Sequence, residues 1–282
     1  MEDHDLLLSF IREDAPFGDI TSDAIISAAQ CRAQVVTREE GIIAGIEEAV
    51  FLFRYFGITV HPMVTDGDSV RAGTVVLELA GPAQPILLVE RTALNIMGRM
   101  SGIATRTRRC VLLLAQSGGE CRIAATRKTA PGLRKLDKKA VEIGGGDPHR
   151  FSLSDGILIK DNHLALIRVD DAVRAAKRST CYRKVEVEVT TPQDAVVAAG
   201  AGADILLLDN LTPGQVTAVV QALRDRGLIE RLQIEVSGGI TEENLLSYAL
   251  PEVDLISAGM LTHSVKNFDI GLDIVPENPE QP

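Results

Sequence analysis

The sequence predicts an α/β protein built on an open, incomplete parallel α/β barrel, with its N-terminal half packed against the barrel. Three observations carry that prediction. From residue 121 onward, apolar strand-like runs alternate with helical patterns, the rhythm of parallel βα units. Six such runs occur, fewer than the eight that close a barrel. Hydrophobic residues make up 45% of the 282, but aromatics only 4%, and tryptophan is absent. The core is therefore Leu, Ile, Val and Ala, which suits parallel strands covered on both faces.

Taken in order, Leu6, Leu7, Phe10 and Ile11 have helical spacing, and Ala33 to Thr37, Ile58 to Val64 and Val75 to Leu79 read as strands. The stretch 66–81 (DGDSVRAGTVVLELAG) reads as two short β segments turning at Gly67 and Gly73. It is similar to the half-barrel turn of lipoyl and biotinyl carriers. No lysine occupies a hairpin tip, so a structural β layer is expected. A long helix is predicted from Ile86 through Leu114, stopped at Gly118-Gly119. The six strand-like runs are 121–126, 156–160, 184–189, 204–208, 233–236 and 253–257. Helical patterns at 132–143, 164–178, 191–201, 213–227 and 241–249 separate or follow them, with Pro192 and Pro213 in first turns capped by Thr191 and Thr212.

Composition excludes several classes. A net charge of −10, from 29 basic and 39 acidic residues, makes a poor non-specific binder of nucleic acid or a membrane surface. No apolar run approaches a membrane span, and the start, MEDHDLLLSF, lacks the basic opening of a signal peptide. The cysteines, Cys31, Cys110, Cys121 and Cys181, form no CxxC or Cys/His pattern, so a reducing cytoplasm is the expected setting.

In a βα barrel, chemistry sits at the C-terminal ends of the strands. Here those ends are Thr126-Arg127-Lys128-Thr129, Lys160-Asp161-Asn162-His163, the Glu186 and Glu188 strand, Asp209-Asn210, Ser237-Gly238-Gly239 and Ala258-Gly259. Six polar or glycine ends on one rim predict a catalytic rim rather than ordinary solvated loops. The last two, SGG and AGM, offer bare backbone N–H groups, and the corresponding barrel loops often bind phosphate with help from a helix N-terminus. Between Arg122 and Lys139 stand seven basic residues and one acidic, in an acidic chain. Lys135, Lys138 and Lys139 are expected on an exposed helix face; Arg127 and Lys128 stand at the strand end, and His149-Arg150 adds cations to the same rim. The ligand should be small and multiply anionic, with Arg for carboxylates and Lys for phosphate. Glu188 and Asp209 beside anions suggest Mg²⁺ or sugar hydroxyls, with salt bridges to rim lysines as the alternative for either. His163 reads as a base or nucleotide contact, or as a packed loop histidine. Lys160 admits a rival, a Schiff-base lyase.

Longer motifs then become recognisable. TRKTAPGLR (126–134), AVEIGGGDPHR (140–150), LSDGILIKDNH (153–163), VEVEV (185–189), ILLLDN (205–210), EVSGGIT (235–241) and ISAGMLTHS (256–264) resemble the quinolinate phosphoribosyltransferase family, the carboxylating nicotinate-nucleotide pyrophosphorylases. EDAPFGDIT (13–21), DGDSVRAG (66–73) and ERTALNIMGRMSGIAT (90–105) extend the resemblance over nearly the whole chain. Pro148 stands where that family more often has an asparagine, and it fixes the backbone before His149. A paralogous class associated with molybdate transport shares the scaffold but lacks the full TRKTxPGLR and LIKDNH pair, and both are present here. A non-catalytic phosphate-binding barrel is the remaining alternative.

The resemblance implies an N-terminal α/β sandwich over 1–107, an open α/β barrel catalytic domain over 108–265, and a segment 266–282 returning to the N-terminal domain. It implies transfer of the phosphoribosyl group of phosphoribosyl pyrophosphate to quinolinate, giving nicotinate mononucleotide, CO₂ and pyrophosphate with Mg²⁺, in NAD biosynthesis. Carried over, Thr126, Arg127, His149, Arg150 and Lys160 surround the quinolinate. Arg91 reaches the same pocket from the neighbouring subunit of a homodimer. Lys128, Glu188 and Asp209 handle phosphoribosyl pyrophosphate and its Mg²⁺, with Lys128, Lys160, Glu188 and Asp209 as the catalytic set. Ser237, Gly238, Gly239, Ala258, Gly259 and Met260 cradle the 5′-phosphate.

Overall fold

The computed structural model describes residues 2–276 and divides into two compact units, Met1–Arg106 with Val265–Pro282, and Thr107–Ser264. Met1, which opens the acidic N-terminal run, and 277–282, the end of the C-terminal segment, lie outside the described residues.

The first unit begins with α1 (Glu2–Asp14), which buries Leu7 and Ile11, one turn apart. A second helix, α2 (Ile20–Ile25), starts at Asp19, whose carboxylate accepts the Thr21 and Ser22 N–H groups at 3.0 and 3.2 Å. Then come β1 (Gln30–Thr37), β2 (Gly41–Ile42), α3 (Ile46–Tyr55), β3 (Thr59–Pro62), β4 (Ser69–Val70) and β5 (Val75–Pro82). The sequence reading foresaw neither α2 nor α3. Gly67 and Gly73 take left-handed φ values of 97° and 85° at the turns before β4 and β5. β5 pairs antiparallel with both β1 and β3, so the 66–81 stretch is a structural layer and not a carrier hairpin. A 33-residue helix, α4 (Ala83–Ala115), follows. Its Ile86, Val89, Ala93, Met97, Met100 and Ile103 are wholly buried at spacings of three and four, one stripe of a helix.

The second unit runs β6 (Arg122–Ala124), α5 (Arg134–Gly144), β7 (Ile157–Ile159), α6 (Asp161–Leu164), α7 (Val169–Ser179), β8 (Val185–Val189), α8 (Pro192–Ala201), β9 (Ile205–Asp209), α9 (Pro213–Arg224), β10 (Gln233–Ser237), α10 (Leu245–Tyr248), β11 (Leu255–Ser257) and α11 (Met260–His263). All six expected strands form, paired in parallel in the order β6-β11-β10-β9-β8-β7. The opening therefore falls between two strands consecutive in sequence, β6 and β7. Asp147 pairs with the β6 edge through a parallel bridge to Ala124. Thr191 and Thr212 cap α8 and α9 as expected, accepting from Asp194 and Gln215 N–H. Two expected helices are shorter. The 164–178 pattern forms a helix only from Val169, as α7, with the separate turn α6 ahead of it, and 241–249 condenses to the single turn of α10.

After the barrel, β12 (Ile270–Val275) pairs antiparallel with β1 and completes the sheet β12-β1-β5-β3 of the first unit. The chain reaches it by running across Gly98 and Gly102 of α4. A Cβ on Gly98 would lie 3.0 Å from the Phe268 carbonyl oxygen, and one on Gly102 would collide with the Lys266 carbonyl. Gly102 permits an approach that no side chain allows, and Gly98 one that a side chain would gain only by shifting the Phe268 main chain.

Candidate active site

The C-terminal ends of the barrel strands surround a cavity of about 280 Å³. Thr126, Arg127 and Lys128 line it after β6, His149 and Arg150 from the segment after the Asp147 bridge, Lys160 after β7, Asp209 at the end of β9, and Ser237 at the end of β10. The β6 turn is held by the Lys128 N–H on Thr126 Oγ1 at 3.1 Å and by Thr262 Oγ1 on the Lys128 carbonyl at 2.9 Å. The Arg127 Nε is buried with no hydrogen-bond partner among the described residues. A buried guanidinium nitrogen left unpaired is costly, and an anionic ligand is the natural complement. Burial first, then the neighbouring Arg127 charge, push the Arg150 guanidinium below its usual pKa. Two crowded guanidiniums thus face one space.

Glu188 is buried on β8, and its Oε2 accepts from Lys160 Nζ at 2.7 Å. Asp209 ends β9 and accepts the Asn210 amide at 2.5 Å. Asn210 has a left-handed φ of 55°, tolerated by its short polar side chain, and its N–H donates to the Ser237 carbonyl at 2.9 Å. Gly238 (φ 95°) and Gly239 (φ 63°) form the next turn. A Cβ on Gly238 would stand 2.7 Å from the Asn210 backbone nitrogen, and one on Gly259 would meet the His263 ring at 2.8 Å and Lys128 Cδ at 3.0 Å. Ala258 is buried, and Gly259 and Met260 are half-buried at the end of β11. The helix expected to assist there is a single turn, α11, and α10 begins six residues after Gly239. The glycine backbone itself therefore makes the cradle.

Other predicted residues fall elsewhere. Arg91 belongs to the first unit, on α4, with its side chain 63% exposed and 3.9 Å from Glu90. His163 is exposed on α6 rather than packed, its Nδ1 accepting the Lys160 N–H at 2.9 Å. Lys138 corrects the expectation of an exposed face. It is buried on α5 and donates to the Pro148 carbonyl, while Lys135 is exposed and Lys139 half-buried. Burial, then the Arg134 charge, lower the Lys138 pKa to about 8.

Sequence reasoning gave no role to Glu186 or Glu235. Both are buried in the barrel, and Glu235 Oε2 lies 3.0 Å from His149 Nε2. Burial first, then the Glu235 charge, push Glu186 up to about 8. The available signal was the alternation VEVEV and IEVS, which puts Glu186 with Glu188 and Glu235 with Ser237 on the same strand faces. A second cavity of about 620 Å³ lies at the N-terminal ends of β6, β9, β10 and β11, and His149 and Glu235 line both cavities.

Two family models match the chain in succession. Residues 19–101 match the quinolinate phosphoribosyl transferase N-terminal domain, and residues 103–273 match its C-terminal domain. The chain is 46% identical over 273 residues to a probable carboxylating nicotinate-nucleotide pyrophosphorylase of Methanothermobacter thermautotrophicus, covering 96% of this chain and 98% of that one. It is 36% identical over 272 residues to the human carboxylating nicotinate-nucleotide pyrophosphorylase, covering 95% and 90%. The solved nicotinate-nucleotide pyrophosphorylase of Francisella tularensis superposes with a TM-score of 0.88 at 34% identity, over 96% of this chain and 97% of that one. That of Ehrlichia chaffeensis gives 0.90 at 32%, over 96% and 98%. With a family model over each half and this similarity along almost its whole length, the chain belongs to the quinolinate phosphoribosyl transferase family.

Proposed function

We propose that this chain is a carboxylating nicotinate-nucleotide pyrophosphorylase, a pentosyltransferase of NAD biosynthesis. It converts quinolinate and phosphoribosyl pyrophosphate to nicotinate mononucleotide, CO₂ and pyrophosphate. One observation carries the reading: Arg127, Lys128, Arg150 and Lys160 converge on one cavity of about 280 Å³ in a chain of net charge −10. Arg127, Arg150, Lys160 and His149 hold the two carboxylates. The pyridine nitrogen displaces pyrophosphate at the ribose C1 through an oxocarbenium-like state, which the carboxylates of Glu188 and Asp209 stabilise. Lys128 attends the pyrophosphate, while Ser237, Gly238, Gly239, Ala258, Gly259 and Met260 receive the 5′-phosphate. Once the ring nitrogen is quaternary, the 2-carboxylate leaves as CO₂, the positive ring and the cations around it stabilise the electron pair left on C2, and a proton taken up at C2 completes the nicotinate ring.

The donor set suits Mg²⁺ unequally. Asp209 lines the cavity with a half-buried carboxylate, a hard oxygen donor, whereas Glu188 is engaged by Lys160. Asp209 would be the principal protein ligand and Glu188 the second. When bound, Mg²⁺ supplies electrostatic stabilisation of the leaving pyrophosphate. The Schiff-base alternative fits less well. Lys160 is tied as an ammonium into its ion pair with Glu188, whereas imine formation needs a free amine.

The working unit is a homodimer with shared sites, Arg91 of each subunit serving the other's barrel. Large apolar side chains left exposed in both units, Phe17 (94%) and Ile20 (79%) in one and Leu153 (73%) and Leu166 (89%) in the other, support an association surface. Its compartment is the cytoplasm. None of the four cysteines is joined in a disulfide, and no helix among the described residues is long and apolar enough to cross a membrane.

The decisive assay incubates the protein with quinolinate, phosphoribosyl pyrophosphate and Mg²⁺ and follows mononucleotide and CO₂. Nicotinate, lacking the 2-carboxylate, should be a very poor substrate because it leaves cations unpaired. Comparable kcat/KM for the two acids would overturn the reading. For the shared site, Arg91→Ala and Lys128→Ala should each be nearly inactive. Unfolded, mixed and refolded together, they should recover roughly a quarter of wild-type activity, since half the dimers then carry one intact site of two. No recovery in proven mixed dimers would reject the sharing.

A further inference from the structure

The transfer reaction leaves two internal carboxylates beside His149 without a task. Glu235 on β10 is 2% exposed and Glu186 on β8 is 5% exposed. Their carboxylate oxygens and a ring nitrogen of His149 all lie within 4.8 Å of one another. Within the group, Glu235 Oε2 lies 3.0 Å from His149 Nε2, and Glu186 shares a side-chain hydrogen bond with Glu235.

The backbone that carries His149 is fixed on every side. The Asp147 N–H donates to the Ile123 carbonyl at 2.8 Å, and the Ala125 N–H to the Asp147 carbonyl at 2.9 Å. Lys138 Nζ binds the Pro148 carbonyl. The His149 N–H donates to Asp147 Oδ1 at 2.7 Å, and His149 itself has a φ of 55°. A non-glycine residue held at a left-handed φ between these anchors has little freedom left. Ring chemistry then narrows the choice. An imidazole has two nitrogens, and Glu235 occupies Nε2. A neutral ring donating from Nε2 would present the bare Nδ1 lone pair elsewhere, which repels an anion. Only the imidazolium offers Nδ1–H as a second donor.

We propose that Glu235 is a positioning residue of this site: it locks the His149 ring through Nε2 and holds the ring as a cation, so that Nδ1–H serves the dicarboxylate ligand. The inference rests on the phosphoribosyl-transfer reading above. The charged groups around the ring are Glu235 from β10, Glu186 from β8, Lys138 from α5 and Arg150 from its own segment, with Arg127 from the end of β6 lining the same cavity. Burial alone would depress the His149 pKa. The Glu235 hydrogen bond and the Glu235 and Glu186 charges outweigh burial and Lys138, and leave it raised.

The test compares wild type, Glu235→Gln and Glu235→Asp in steady-state assays from about pH 6 to about pH 9. Glu235→Gln keeps the shape and removes the charge. It should raise KM for quinolinate about tenfold or more, the worth of a charge-assisted hydrogen bond, and leave KM for phosphoribosyl pyrophosphate close to wild type. The alkaline fall of kcat/KM for quinolinate should move to lower pH. Glu235→Asp, which keeps the charge, should hold that fall near its wild-type position and recover part of the KM. Absence of turnover by wild type would overturn the transfer reading itself. An active wild type, with Glu235→Gln unchanged in quinolinate KM and pH profile, would overturn this inference alone. Should Glu235→Gln fail to fold, imidazole NMR of the wild type decides. The chain has five histidines, and His149→Gln assigns the resonance. A His149 ring titrating at or below the ordinary 6.5 would overturn the inference; one still protonated above it would support it.

Discussion

The barrel holds two carboxylate–cation pairs that differ in one respect. Glu188 and Glu235 are both buried, and in the sheet register each stands opposite Leu207 of β9, one on either side. Their carboxylates are thus equally withdrawn from water. The cations are not. Lys160 is 46% exposed on a long flexible stem, whereas the His149 ring is 17% exposed on a backbone held in the left-handed region. A half-exposed ammonium can exchange its carboxylate for a ligand's at little cost. A ring bound at Nε2 and strapped through its main chain cannot. The same kind of pair therefore supplies a movable cation at the rim and a fixed one inside.

The largest test of that contrast is Lys160→Ala. It removes the movable cation and leaves Glu188 buried and uncompensated. Turnover of quinolinate should fall about a hundredfold or more, with a lowered Tm, and the loss should exceed that of Glu235→Gln. Equal losses in steady-state kinetics would erase the distinction. Next come the two glycine ends. Gly238→Val drives its side chain toward the Asn210 main chain at a φ of 95°, costing about 1–3 kcal/mol of strain as well as blocking the phosphate cradle. Gly259→Ala meets the Lys128 and His263 side chains, and the Lys128 stem can give way. KM for phosphoribosyl pyrophosphate should rise strongly in the first and only a fewfold in the second. An unchanged KM in folded Gly238→Val would remove the phosphate assignment.

The smallest effect concerns Lys138, the cation behind the fixed pair. Its pKa is lowered to about 8 from 10.5, so between those values the unfolded chain binds a proton that the native protein does not. Stability should therefore rise with pH through that window. Lys138→Met should flatten the rise, read as the difference in Tm between variant and wild type at about pH 8 and about pH 10. An identical slope in both would mean that Lys138 is not held in a depressed state.

Much of this was legible in the residues. The six barrel strands declared themselves as short runs rich in Ile, Leu and Val, and the rim followed because polar residues cluster where those runs stop. The interior did not declare itself for the same reason. Glu186 and Glu235 sit within apolar runs, so Glu186 was noted only as part of its strand and Glu235 not at all. Lys138 was misread because a lysine in a basic helical stretch looks solvated until a carbonyl, here that of Pro148, is found above it. The α3 helix escaped because it is apolar on most of its surface, burying Ile46, Ala49, Leu52 and Phe53, and its period blends into its neighbours. The split between α6 and α7 and the short α10 are local matters of turn chemistry, which periodicity does not resolve.

The strand β12 also has a temporal consequence. Its partner β1 leaves the ribosome early, but residues 270–275 emerge only after the entire barrel has been made. At ordinary elongation rates that interval is on the order of ten seconds or more. Throughout it, β1 is an edge strand with unpaired main-chain groups, and the surface of α4 at Gly98 and Gly102 has no cover. Nascent chains stalled in the barrel would carry this open edge, which makes them candidates for chaperone capture or misassembly in a way that the finished protein is not.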